Sequence, residues 1–532
     1  MVTGVLCAGT PDCTSTRMRF SEQDYQGSFS GDRFCHQFLL GPEFVDNLAG
    51  WQNVKVSESL MLMAHPELTV EQVTDGCKSI TLIGYILDPG CPKKDNVGII
   101  QSLLAGFSTI KQLISATARL GGRWVVIADD GEQVVLFNDA LGLRQVFYTA
   151  PDYREGLWVM SQPGILAWLK ELSIDDAALS FIDSYEVRNQ AEYRWPGTAT
   201  AFSEIIHLLP NHCLNLSTGK CRRYWPMAPI KARGLDEVVD EAIEMLQGLM
   251  DAAGSRFDLV LGMTAGYDSR IVLSASRSVL NKLSAITVRQ GGMPDTHQDP
   301  VIAARLLGRL GIRHDIVRAL PYMSAAFSKT FKENVFLAHD HYGPDAEAIL
   351  DCYGRQKVVV TGSGAEVARE PFRKRIDSNK RHYTAQDLAS LQWMGNNQFA
   401  VQSFQQWLDE FDESCGIHLL DLFSWEQSHG NWLAGTQMEF DIAWRDIFTP
   451  FNCRELLVCL MSVDEHYRSS PDHKLFKMLI EKMWPELMGE PINPQDGNKK
   501  HGSRKVMRKT ASAVKNRLAR LGMSIRNKAG AY

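Results

Sequence analysis

The chain has 532 residues, of which 45% are hydrophobic and 22% charged, and its net charge is −6 at pH 7. That length supports two sizeable domains, and the mild acidity gives no general argument for nucleic acid. The eleven cysteines are scattered without a C-x-x-C pair, so spacing indicates neither a zinc site nor a disulfide framework. Reduced thiols, no secretion signal and no apolar run of about 18 residues make a cytoplasmic protein without a membrane span the expectation.

In chain order, the first 225 residues read as short apolar strands with frequent turns, the pattern of a layered sheet sandwich. Within them, 121–148 (GGRWVVIADDGEQVVLFNDALGLRQVFY) is a strand pair followed by a polar turn. Prolines, a glycine and basic residues interrupt the pattern at 226–234, and a helix-like segment follows at 235–250. We therefore divide the chain into a first domain at 1–225, a linker at 226–234, a second domain at 235–498 and a basic tail at 499–532.

The segment 258–270 (DLVLGMTAGYDSR) is an apolar strand, a small-residue turn carrying an acid and a hydroxyl, and the start of an apolar-periodic stretch, 271–280. A strand feeding a helix through small residues forms an anion cradle, because backbone N–H groups can approach phosphate oxygens. Asp268 repels phosphate directly, so its expected task is to hold a magnesium ion that attracts it. A kinase-type G-x4-G-K-[ST] loop is absent. A second apolar strand ends in glycines and an acid at 357–366 (KVVVTGSGAE). Between the two lie a short apolar run, 283–289, and a helical pattern, 301–310, closed by Gly311. Such alternation predicts a parallel sheet with helices on both faces and ligands beyond the carboxyl ends of its strands.

Three further features are open to more than one reading. His339-Asp340-His341 is read as a polar turn. Glu426, in a helical stretch at 420–432, is either a solvated helix-face acid or a general base. Lys499 and Lys500 sit in a loop after Pro494 that is either a solvated basic turn or a closure over substrate. The tail from 499 contains no acid, and its basic, loosely amphipathic character suits either a helix packed on its own domain or weak contact with an anionic surface.

The turn at 264–269 resembles the S-G-G-x-D-S pyrophosphate loop of enzymes that split ATP into AMP and pyrophosphate. Thr361-Gly-Ser-Gly-Ala-Glu366 is similar to the S-G-x-G-A-D signature that follows it in the asparagine synthetase and β-lactam synthetase family. The stretches 121–148, 210–214 with Tyr224-Trp225, and 441–467 resemble further parts of that family in the same order. The resemblance implies an Ntn-hydrolase-like αββα sandwich followed by a doubly wound, parallel-sheet ATP-pyrophosphatase domain of the adenine nucleotide alpha-hydrolase kind.

It also implies roles. Thr264, Ala265, Gly266, Tyr267 and Ser269 would line the pyrophosphate of ATP, and Thr287, Thr361 and Gly362 would sit against the nucleotide. Asp268 and Glu366 would hold Mg2+, Glu366 standing where the family has aspartate. Ser363 replaces a glutamate or tyrosine near the incoming amine, and Lys499 or Lys500 falls where the family neutralises the α-phosphate. The family's glutaminase uses a cysteine exposed by removal of Met1. Here position 2 is Val2, neither Thr3 nor Cys7 is a natural substitute, and the first domain is expected to be catalytically silent.

The expected activity is an ATP-dependent amide ligase joining a small-molecule or peptide carboxylate to an amine from a source other than glutamine. An intramolecular cyclase of the β-lactam synthetase or lasso-peptide type, and a nucleotide-binding protein without ligase activity, are the alternatives. A homodimer is left open.

Overall fold

The computed structural model describes residues 33–48, 50–184, 187, 192–369, 372, 382–412 and 415–494. The first unit contains two six-stranded sheets. One runs Ile205–His207, Phe147–Thr149, Val159–Met160, Phe38–Gly41, Leu60–Ala64, Gln52–Ser57; the other runs Cys221–Arg223, His212–Asn215, Val134–Asn138, Gly121–Asp129, Lys78–Leu87, Val70–Asp75. Side chains alternate across each sheet, as a period of two requires. Leu40 and Leu62 from one sheet meet Ile83, Val125, Ile127 and Leu136 from the other in a buried layer.

The opposite faces are covered by helices. Ile80, Leu82, Trp124 and Val126 turn outward onto the helices Asn96–Gly106 and Ile110–Ala116. Leu39, Met63 and Met160 turn outward onto Pro163–Lys170. Asp95 caps the first of these helices by accepting the Gly98 N–H at 2.8 Å, and Thr109 with Gln112 forms a capping box on the second. The result is the expected αββα sandwich.

The second unit is built on a five-stranded sheet in the order His314–Arg318, Leu283–Arg289, Leu259–Gly262, Val358–Val360, Asp446–Phe448, with every pairing parallel. Both faces are covered, so its central strands Leu259–Gly262 and Val358–Val360 are apolar throughout, while the edge strand His314–Arg318 is mixed. Leu259, Leu261, Ala285, Val358 and Val360 face one helical layer that includes Leu235–Arg256 and Tyr267–Ala275. Val260, Ile286 and Val359 face another that includes Ala325–Asn334 and Gly343–Tyr353. The chain leaves the central strand Leu259–Gly262 to one side and returns on the other at Val358–Val360. The carboxyl ends of these two neighbours therefore form the switch point of the sheet.

The two units share a core. Tyr85, Leu87, Ala140, Leu141 and Leu143 of the first belong to the same buried cluster as the helices of the second. A buried ion network lies alongside. Arg123 forks onto both carboxylate oxygens of Asp441, with Nη2 at 2.9 Å from Oδ2, and reaches Asp446 at 3.3 Å. Arg144 reaches the other oxygen of Asp446 at 3.1 Å. Tyr85 donates to the Ile447 carbonyl at 2.7 Å, and Asn452 bridges the Leu141 N–H and the Gly122 carbonyl. Arg123→Ala strands Asp441 in the interior and is expected to cost about 3–5 kcal/mol in urea unfolding. Both units should then be lost in one earlier transition; a second unit that keeps the wild-type midpoint would contradict a shared core.

Candidate functional site

At the switch point the two glycine-bearing turns touch. The strand Leu259–Gly262 ends, the chain turns through 263–266, and the helix Tyr267–Ala275 starts with Gly266 at its N-cap. The turn is knitted by its own hydroxyls. Ser269 Oγ accepts the Thr264 N–H at 3.3 Å, and Thr264 Oγ1 accepts the Gly266 N–H at 3.2 Å. The Ala265 N–H donates to Asp299 Oδ1 at 2.8 Å. Thus a carboxylate from the first turn of the helix Gln298–Arg309 holds an amide that the anion-cradle reading gives to phosphate.

Gly362, just past the strand Val358–Val360, packs directly on this turn. A Cβ there would lie 2.5 Å from the Asp268 carbonyl carbon and 2.6 Å from its Cβ, so only glycine fits. Gly364, at φ +100°, presses against Leu141 of the first unit, 2.7 Å from where its Cβ would be. The turn carrying Glu366 is therefore squeezed between the helix Tyr267–Ala275 and the sandwich.

That squeeze sets two carboxylates on one guanidinium. Arg369 Nη2 lies 2.7 Å from Asp268 Oδ2 and 3.3 Å from Glu366 Oε1. Glu366 Oε2 also accepts the Gly364 N–H at 2.9 Å and lies 3.7 Å from His429 Nε2. Asp268 Oδ1 is buried with no hydrogen-bond partner. Burial pushes the Asp268 carboxyl up to about 7, with the charge of Glu366 adding to the rise against Arg369. Burial pushes Glu366 the same way, but the His429 imidazole and Arg369 guanidinium outweigh it and hold that carboxyl at about 2. The two carboxyls titrate as a pair, and burial together with the charge of Glu366 makes Asp268 the more basic of the two. A carboxylate pair with a bare buried oxygen and one cation between them is a donor set that suits a hard divalent ion.

The other sequence candidates fall around this pair. The Tyr267 ring stands 5.2 Å from His473. Thr287 is near the end of its strand, but its hydroxyl is committed to the Met263 carbonyl at 2.7 Å and to His314 Nε2 at 2.9 Å. Thr361 Oγ1 is buried without a partner. Ser363 offers its carbonyl to Thr449 at 2.6 Å. Arg270, on the helix Tyr267–Ala275, is fully buried and gathers the carbonyls of Leu487, Glu490 and Pro491. This brings Asn493 onto the loop, where its N–H donates to the Ala265 carbonyl at 2.9 Å.

One expectation changes. Glu426 is neither solvated nor placed to act on substrate. It is fully buried, paired with Arg223, and accepts from Asn211 at 3.1 Å and Trp407 at 2.7 Å, so it fastens the sandwich to the second unit. His339 opens the expected polar turn and is buried there: its Nδ1 meets Glu439 at 2.6 Å and its Nε2 meets the Tyr193 carbonyl at 2.7 Å. Val2, Thr3, Cys7, Lys499, Lys500 and the basic tail lie outside the described residues. Arg369, His429 and Asp299 join the site without any mark in the sequence. His429 comes from a π-helical stretch, Ser424–Leu433, whose wider winding no apolar period reveals.

No protein-family model matches the chain, and no curated protein matches it. Among solved structures, the glutamine phosphoribosylpyrophosphate amidotransferase from B. subtilis complexed with ADP and GMP is 12% identical, over 65% of this chain and 75% of that one, at a TM-score of 0.22. The glutamine-dependent NAD+ synthetase from Acinetobacter baumannii in complex with ADP is 12% identical, over 45% and 57%, at 0.18. An allosteric regulatory enzyme of purine biosynthesis is 9% identical, over 56% and 77%, at 0.24. Superposition this slight carries no argument about this chain.

The geometry makes two predictions. Asp268→Asn in metal-free buffer should raise stability, because the wild-type acid is more basic folded than unfolded and its ionisation costs stability as pH rises from about 4 to about 7. The gain should be at least about 1 kcal/mol at pH 8 and nearly absent at pH 4; an equal gain at both would refute the burial argument. Asp299→Ala releases the Ala265 N–H and removes a negative charge, so equilibrium titration should show ATP binding tightened severalfold.

Proposed function

We propose that the protein is an ATP-dependent ligase that forms AMP and pyrophosphate, activating a carboxylate at the switch point and transferring its acyl group to an amine. The observation that carries this reading is the contact of the two turns: Gly362 against Asp268, with Asp268 and Glu366 sharing Arg369. The resemblance of both turns to those of the asparagine synthetase family supports it, as does their location beyond the carboxyl ends of adjacent parallel strands.

In this reading a substrate carboxylate oxygen attacks the α-phosphorus of ATP, and the bond from that phosphorus to the bridging oxygen of pyrophosphate breaks. An amine then attacks the acyl carbon, AMP leaves with its oxygen, and the amine gives up a proton. Asp268 and Glu366 would hold Mg2+, which neutralises charge on the leaving pyrophosphate. The N–H groups of Thr264, Ala265 and Gly266 and the hydroxyl of Ser269 hold pyrophosphate oxygens once their internal partners let go.

Arg369 keeps the two acids together, and its guanidinium stays beside the departing charge. Glu426, tied into the interface, is excluded as the amine's base. His429 stays with Glu366 as its charge partner, its Nδ1 donating to the Ser424 carbonyl at 3.0 Å and its Nε2 facing the carboxylate. Ser363 contributes a single hydrogen bond near the amine.

The test is pyrophosphate release from ATP and Mg2+ with pooled carboxylates and amines, with Asp268→Ala as control. Pyrophosphate that appears with the native chain and vanishes in the variant is the expected result. ADP and phosphate, or pyrophosphate unaffected by Asp268→Ala, would overturn the reading.

A further inference from the structure

Cys35, His65 and Glu67 stand outside the nucleotide site and have no spacing that marks them in the sequence. The antiparallel pairing of Phe38–Gly41 with Leu60–Ala64, which sets Phe38 opposite Ala64, brings the residue ahead of one strand beside those after the other. There a sulfur, an imidazole nitrogen and a carboxylate oxygen all lie within 4.8 Å of one another. Cys35 and His65 are buried, whereas the Glu67 side chain keeps 46% of its surface exposed.

Two neighbours bear on what this cluster holds. The Arg355 guanidinium is 3.3 Å from Cys35 Sγ and 3.6 Å from Glu67 Oε2, so a cation already sits against the sulfur and the acid. His36 Nε2 is 3.6 Å from the same Glu67 oxygen, and its Nδ1 is buried without a hydrogen-bond partner. A cavity of about 230 Å³ beside Glu67 is lined by Glu71, Asp95 and Asp446 as well as by Arg256 and Arg445.

We propose that Cys35, His65 and Glu67 form a binding site for a zinc-class divalent cation, with a fourth position open to water or to His36. A soft sulfur, an imidazole and a carboxylate are the mixed donors that zinc accepts and that magnesium and calcium do not select. Binding requires two changes. The Cys35 thiol gives its proton to solvent, while His65, whose Nδ1 accepts the Glu67 N–H at 3.2 Å, offers a ring nitrogen. Arg355 withdraws as the metal takes over its charge. The Cys35 N–H is bonded to Asn334 at 2.6 Å and its sulfur approaches the Asp441 carbonyl at 3.7 Å. A metal here would therefore fasten the edge of the sandwich to the second unit.

The experiment uses the full chain, stripped with chelator, reloaded with Zn2+ or Co2+ without ATP and desalted, so that it stands apart from the ligase reading. We expect about one zinc per chain and a thiolate-to-cobalt charge-transfer band in the near ultraviolet. Cys35→Ser should abolish that band, Cys35→Ser and Glu67→Gln should each weaken zinc by at least roughly tenfold, and Arg355→Gln should tighten it. Should Cys35→Ser not fold, the half-exposed Glu67→Gln and the cobalt spectrum of the native chain decide alone. Zinc retained equally by native chain and variants, no retained zinc, or cobalt bound without a thiolate band would each overturn the proposal.

Discussion

The pairing of Arg123 and Arg144 with Asp441 and Asp446 is the constraint from which the rest of the architecture hangs. Four charges are taken out of water together, and such a group persists only if each carboxylate has its guanidinium and each guanidinium its carboxylate. Asp446 opens the last strand of the parallel sheet, so the sandwich grips that sheet at its edge. The same grip places Leu141 beneath Gly364 and thereby presses Glu366 toward Asp268. The sandwich thus has a mechanical role: it is one wall of the site on its neighbour.

The site itself is arranged around opposing charge. Two half-buried acids on one guanidinium repel each other, and Arg369 offsets that repulsion. The turn at 263–266 is satisfied by its own hydroxyls and by Asp299, while Asp268 Oδ1 and Thr361 Oγ1 close by stay buried without partners.

Much of this is legible in the chain. The strand, small-residue turn and helix at 258–280, and the second strand ending in Gly362, follow from apolar runs bounded by glycines, and their parallel pairing follows from the helices between them. The interface is not legible, because Arg123 and Asp441 are 318 residues apart and nothing in either neighbourhood marks the other. Glu426 departs from expectation for a related reason: an acid on a helical pattern is usually solvated, and only Arg223, Asn211 and Trp407 converging from elsewhere reveal its burial. Arg369 stays hidden because one arginine after a glycine-rich turn carries no pattern. Cysteine spacing is equally silent, since it does not report that two neighbouring strands bring Cys35 to His65.

The π-helical stretch Ser424–Leu433 carries a consequence for how the protein can change over generations. Its wide turn sends Glu426 toward the sandwich and His429 toward Glu366, a division of labour held by backbone winding more than by side-chain identity. Substitutions within the stretch alter one contact at a time. Loss of a single residue would restore ordinary winding and rotate everything beyond it, carrying the histidine out of the site in one event. Descendants of this sequence can thus gain or forfeit chemistry through length as readily as through composition, and the ten residues from Ser424 to Leu433 are where such a change would register.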